Sequence, residues 1–183
     1  LARPQKVDRS RLPPTEGIDI MLVLDTSYSM AAMDFNPYNR MQAAKAAAAD
    51  FVKKRANDRI GVTVFGGAAL LTCPLTLDYQ SVLETIDLAD LNMTHADGTA
   101  IGDAIATAVN HLKDSKAKSK VMILLTDGRS NSGVITDLAL AAKAAAAHDI
   151  KIYTIGTAGK GRAQIPTGNP LEPVLYLDED LDE

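Results

Sequence analysis

The sequence predicts an α/β domain: an open, mostly parallel, Rossmann-like sheet with helices on both faces. Three observations carry that expectation. The nearly continuous apolar run Ile18–Leu24 reads as a strand buried on both faces, Val121–Leu125 as another buried strand, and Ile60–Phe65 and Ile150–Ile155 as further strands. The stretches between them have helical spacing or strong helix propensity. Strand and helix alternate along the chain, which argues for parallel strands joined by right-handed crossovers. A length of 183 residues suits one domain with a sizeable core.

Each element follows in order. Residues 1–17 are polar and carry Pro4, Pro13 and Pro14, so they read as an extended lead-in. After the first strand, residues 25–39 form a loop of small and turn-forming residues. Met41–Lys54 contains AAKAAAADFV and reads as a helix. Gly66-Gly67 is a tight turn after the second strand, and Ala68–Leu71 a short edge strand. Tyr79–Leu88 and Ala100–Leu112 read as helices, the latter with Ile101, Ile105, Ala108 and Leu112 at helical spacing. Thr136–His148 is an Ala-rich helix, and Val174–Leu177 a last short strand. The repeated AAKAAAA, at 43–49 and 141–147, reads as two helices packing closely on a sheet.

Composition narrows the function. Hydrophobic residues make up 46% and charged residues 23%, as in soluble globular proteins. Aromatics are only 4% and Trp is absent, so the core rests on Ala, Leu, Ile and Val. A net charge of -4 and the lack of a Lys/Arg run argue against nucleic acid as a partner. The single cysteine, Cys73, excludes an internal disulfide framework and a Cys-based zinc site, and reads as a small core residue. No apolar stretch reaches the ~18 residues that a spanning helix needs.

Three short segments carry the chemistry. Asp25-Thr26-Ser27-Tyr28-Ser29 directly follows the first strand, Asp97-Gly98-Thr99 directly precedes a helix, and Thr126-Asp127-Gly128 directly follows the third buried strand. In an open α/β sheet, ligands sit outside the carboxyl ends of strands, where neighbouring connections diverge. Hydroxyl and carboxylate oxygens are hard ligands suited to Mg²⁺, Mn²⁺ or Ca²⁺. In Asp-x-Ser-x-Ser the odd positions can turn Asp25, Ser27 and Ser29 toward one point, with Thr99 and Asp127 adding further oxygens. With hydroxyls doing much of the ligation, the cation stays under-neutralised and attracts an external carboxylate.

This set resembles the von Willebrand factor A domain and its metal-ion-dependent adhesion site, over roughly residues 18–178. The resemblance implies that Ser27, Ser29 and Thr99 coordinate the cation and that Asp25 and Asp127 act directly or through water. Asp97, Gly98, Gly128 and Asp103 would shape or brace the site. Tyr28 stands where the first motif usually has Gly, on the rim. The resemblance also supplies a strand order of 3-2-1-4-5-6, with strand 3 antiparallel at the edge.

A closer resemblance is to bacterial Bat-type (BatA-like) aerotolerance proteins. It rests on Leu1-Ala2-Arg3-Pro4-Gln5, Glu16-Gly17-Ile18-Asp19, Asn39-Arg40-Met41-Gln42-Ala43-Ala44-Lys45, Cys73-Pro74-Leu75-Thr76-Leu77-Asp78-Tyr79 and Asp97-Gly98-Thr99-Ala100-Ile101-Gly102-Asp103-Ala104-Ile105. It implies a domain anchored in the bacterial inner membrane by segments outside this chain, with the periplasmic side favoured. It implies as partners a protein presenting Asp or Glu to the metal, other Bat proteins and a MoxR-type AAA+ ATPase. The chain opens on Leu1 and closes on the acidic Asp178-Glu179-Asp180-Leu181-Asp182-Glu183. The expectation is therefore a juxtamembrane lead-in over 1–17 and a domain over 18–183 cut short at its final helix.

Other readings compete. Ser, Thr and Asp are also favoured at turns and helix starts for local reasons. Asp103 suits either a bracing role or the first turn of its helix. His95 reads as a surface residue, and Asn92-Met93-Thr94 as a chance match to a glycosylation sequon. Gly128-Arg129-Ser130-Asn131-Ser132 lacks the second glycine of a nucleophile elbow, and no phosphate-binding loop motif is present. A Mg²⁺-dependent phosphotransfer enzyme with Asp25 as nucleophile would want a second acid two residues on, where Ser27 stands. The expectation is therefore a binding module and no enzyme; the alternatives are that phosphotransfer enzyme and a module whose cation only stabilises its loops.

Overall fold

The structure, a computed structural model, describes residues 17–35, 37–128, 130–158, 161–169 and 172–179. The central sheet contains β1 (Asp19–Asp25), β2 (Arg59–Phe65), β3 (Ala69–Thr76), β4 (Lys120–Thr126) and β5 (Ile150–Gly156) in the order β3-β2-β1-β4-β5. All neighbours are parallel except β2 and β3, which run antiparallel. Fold class, strand order through the fifth strand and the orientation of the third strand are as the sequence and its family resemblance led us to expect.

Alternation along the strands builds two cores. Ile20, Leu22 and Leu24 face one side with Ile60, Val62, Val64, Val121, Ile123 and Leu125. They are covered by α1 (Arg40–Lys53) through Met41, Ala44, Ala48 and Val52, and by α2 (Tyr79–Leu88) through Val82 and Ile86. Met21, Val23, Met122 and Leu124 face the other side, under α3 (Ile101–Leu112) and α4 (Leu138–Ala147). Ala-rich helices bring little side-chain bulk, so α1 and α4 can lie close on the sheet. Asn39 caps α1 with a reciprocal box: its side chain accepts from Gln42 N at 2.8 Å, and Gln42 Oε1 accepts from Asn39 N at 3.0 Å. Asp78 and Asp137 cap α2 and α4 by accepting from the backbone N–H of Ser81 and Leu140.

Several expected boundaries shift. The edge strand is longer than Ala68–Leu71 because its pairing with β2 continues, through irregular register, to Thr76. A single 3-10 turn, Tyr28–Ala31, interrupts the loop expected over residues 25–39. The sixth strand is a correction. Val174–Leu177 does not extend the main sheet beyond β5 but lies in β7 (Glu172–Glu179), which pairs antiparallel with β6 (Gly161–Asn169) in a separate hairpin. The physical reason is local: β6 delivers Ala163 and Ile165 onto Ala31, Ala32 and Leu91, and Met33 N donates to Gln164 O at 2.8 Å. The lead-in expected before Gly17 and the acidic end beyond Glu179 lie outside the described residues.

Candidate metal centre

The chain turns to opposite sides of the sheet at β1 and β4. β1 connects through α1 to β2 on one side, and β4 connects through α4 to β5 on the other. The crevice at the carboxyl ends of these two neighbours is where such sheets hold ligands. Asp25 is the last residue of β1, and Asp127 follows the last residue of β4.

Four of the five expected ligands are tied together there. Asp25 is fully buried and is held at both oxygens: Oδ1 accepts from Ser27 N at 2.8 Å and Oδ2 from Thr126 Oγ1 at 2.5 Å. Ser27 Oγ lies 3.1 Å from Ser29 Oγ, and Ser29 Oγ donates to Asp127 Oδ1 at 2.8 Å. Thr99 is buried and stands across Gly128, where an added Cβ would lie 3.8 Å from Thr99 Oγ1. Its backbone is pinned by Asn131, which receives Thr99 N at its Oδ1 (2.8 Å) and donates its own N–H to Thr99 O (3.0 Å).

Local capping does not explain these hydroxyls. Ser27 stands at the start of the 3-10 turn without a side-chain capping bond, and α3 starts after Ala100, not Thr99, likewise without one. Burial pushes the Asp25 carboxyl up to about 6; hydrogen bonds from Ser27 and Thr126 oppose this, and the nearby Asp127 adds to it. Among the described residues no three His, Cys, Asp or Glu gather as a metal cluster. The donor set is instead two buried carboxylates and three hydroxyls, all hard oxygen, and it fits a divalent cation such as Mg²⁺.

The surrounding residues shape the rim. Tyr28 is exposed, and with Ser27, Asn92, Ala96, Asp97 and Gly98 it lines a small hollow beside the site. Gly98 has φ +100°, and an added Cβ would fall 2.6 Å from Ser132 Oγ, so the position requires glycine. Asp103 braces: its carboxylate accepts from Val134 N at 2.9 Å and from Ile135 N at 2.8 Å, tying α3 to the segment after Asp127. His95 is exposed and Cys73 buried.

Sequence reasoning missed two side chains at the centre. Arg40, the first residue of α1, is wholly buried, and its Nη1 donates to Asp127 Oδ2 at 2.6 Å. Its Nε donates to both oxygens of Asp34 at 2.9 Å, and its Nη2 lies 2.7 Å from Asp34 Oδ2. An Arg at a helix start reads as a solvated residue; its place in the Asn39-Arg40-Met41 segment was the only signal. Asn131 lies in a loop segment whose pattern carries no signal of its bonds to Thr99.

Fold and site together define an α/β module with a cation-type oxygen cluster at the switch point of its sheet. Residues 20–129 match the von Willebrand factor type A domain, and the chain belongs to that family. Among solved structures it is similar to BatB from Bacteroides thetaiotaomicron, with TM-score 0.78 and 30% identity over 88% of this chain and 80% of that one. It is similar also to an aerotolerance-related membrane protein from Bacteroides fragilis, with TM-score 0.77 and 28% identity over 88% and 82% of the two chains. Proximal thread matrix protein 1 from the mussel byssus, with a zinc-occupied MIDAS motif, gives TM-score 0.65 and 25% identity over 76% of this chain and 35% of that one. The chain spans about half the length of the curated relatives it matches. Among the described residues no helix is long and apolar enough to cross a membrane.

Proposed function

We propose that this domain is a metal-dependent protein-interaction module that captures an Asp or Glu of a partner through a divalent cation, Mg²⁺ in the first instance, with Mn²⁺ or Ca²⁺ as substitutes. The observation that carries the reading is the chain of contacts Ser27–Ser29–Asp127 next to buried Asp25. It gathers hard oxygens from two strand ends at one point, and hydroxyl ligands leave a dication's charge largely uncompensated. Asp25, Ser27, Ser29, Thr99 and Asp127 would hold the ion, which when bound supplies a Lewis-acidic position for an external carboxylate. The zinc-occupied MIDAS of the mussel protein supports metal binding at such a site. A binding role is preferred to phosphotransfer because Ser27 stands where a general acid would be needed.

The similarity to Bat-type membrane proteins supports a setting at the bacterial inner membrane, with anchoring segments outside this chain and the domain on the periplasmic side. Other Bat proteins and a MoxR-type AAA+ ATPase are the partners we propose to try first. The test is capture of these partners by the intact domain in Mg²⁺, in EDTA, and with Ser27→Ala. Capture should be lost in both of the last two. Capture that survives both would leave the cation at most a structural role.

A further inference from the structure

The contact that the adhesion-site reading leaves unused is the buried pair Arg40–Asp127. A guanidinium taken wholly out of water is costly unless carboxylates compensate it. Arg40 has two. It is shared between Asp34, which it meets through Nε and Nη2, and Asp127, which it meets through Nη1 at 2.6 Å. The two oxygens of Asp127 are thereby divided: Oδ2 belongs to Arg40, and Oδ1 receives Ser29 Oγ, on the side of the hydroxyl cluster. Helix capping and sheet packing explain neither the reach of Arg40 to this carboxylate nor its complete burial.

Resting on the metal reading above, we infer that Arg40 is a positioning residue of the metal centre: it occupies Oδ2 of Asp127 and offsets its charge, so that Asp127 offers the cation's side a single oxygen and the bound ion keeps its pull on an external carboxylate. Asp34 sets how much of Arg40 falls to Asp127. Competition for one guanidinium by two carboxylates makes the two residues act on the cation in opposite senses. Arg40→Gln frees Oδ2 and restores the full charge of Asp127, which favours the cation. Asp34→Asn weakens the rival claim on Arg40 and leaves more of it to Asp127, which disfavours it.

Mn²⁺ alone is the probe, titrated into the protein and followed by the electron paramagnetic resonance signal of the free ion, with water proton relaxation reporting the waters left on the bound ion. Arg40→Gln should bind Mn²⁺ about fivefold more tightly and with lower relaxivity, and Asp34→Asn about fivefold more weakly, the scale of one partly screened charge near the ion. Should Arg40→Gln not fold, Asp34→Asn, which swaps one carboxylate oxygen for an amide, still decides by its direction. Weakening in both variants, in step with falling melting temperature, would show a merely structural ion pair and overturn the inference. Unmoved affinity in either folded variant overturns it equally. Absence of Mn²⁺ binding by the unmodified domain would instead remove the metal reading itself, and this inference with it.

Discussion

Thr126 Oγ1 donates to Asp25 Oδ2, so the last residue of β4 holds the last residue of its parallel neighbour β1. With Ser27 N on the other oxygen, the Asp25 carboxylate is oriented by the protein itself. That preorganisation has a cost, because the group is fully buried. Its consequences can be measured.

The first concerns pH. Folding raises the Asp25 carboxyl from its ordinary value of 3.8 to about 6, chiefly by burial. Between those values the folded protein holds a proton that the unfolded chain has lost, so stability falls as pH rises from about 4 to about 6 and stays low above. The full effect is about 3 kcal/mol. Urea unfolding in EDTA at pH 4.5 and 7.5 should show that slope, and Asp25→Asn should flatten it. An unchanged slope in the variant would assign the effect to other groups.

A cation competes with that proton. Millimolar Mg²⁺ should therefore stabilise the fold more at pH 7.5 than at pH 5. Free ligand at ten times its dissociation constant contributes about 1.4 kcal/mol, or about 3–6 °C in melting temperature for a domain of this size. Thr99→Ala should shrink the shift while the domain still folds cooperatively without metal. Equal shifts in the two proteins would remove Thr99 from the ligand set.

Asp103 tests the bracing role. Asp103→Ala leaves the N–H groups of Val134 and Ile135 without their acceptor and should cost about 1–3 kcal/mol. Amide exchange at those two positions should speed up more than in the β4 core. Asp103→Asn, which keeps an acceptor oxygen, should recover part of the loss.

Close approach at α3 gives a steric prediction. An added Cβ at Gly102 would lie 1.9 Å from Ile135 O, inside any permitted contact. Gly102→Ala should push α3 from the segment before α4 and destabilise by roughly 1–3 kcal/mol. Thermal melts of the variant against the unmodified domain would read it, and an unaffected melt would refute the close packing.

Apolar runs and their alternation made the fold class legible, the family resemblance supplied the order of the first five strands, and the three motifs at strand and helix boundaries located the oxygen cluster. Two things were not legible. Val174–Leu177 has the pattern of a strand, but pattern does not say with which neighbour it pairs; that was decided by Ala163 and Ile165 finding Ala31 and Ala32. Arg40 was invisible for the opposite reason. Its charge marks it for the surface, and Asp34 and Asp127, two carboxylates remote in sequence from each other, make its burial tolerable.

The hairpin's contacts with the segment after Ser29 also order the events of biosynthesis. Met33 leaves the ribosome early, yet the acceptor of its amide, Gln164 O, is made more than a hundred residues later, and Thr126 and Asp127 more than ninety later. Since domains are synthesised from the amino end, the loop carrying Ser27 and Ser29 must wait, unfinished, until nearly the whole described chain has emerged. A nascent chain halted before β6 would present β1 and its motif without the contacts that β6 makes to Ala31, Ala32 and Met33. Assembly of the oxygen cluster is thus a late event in the synthesis of each molecule.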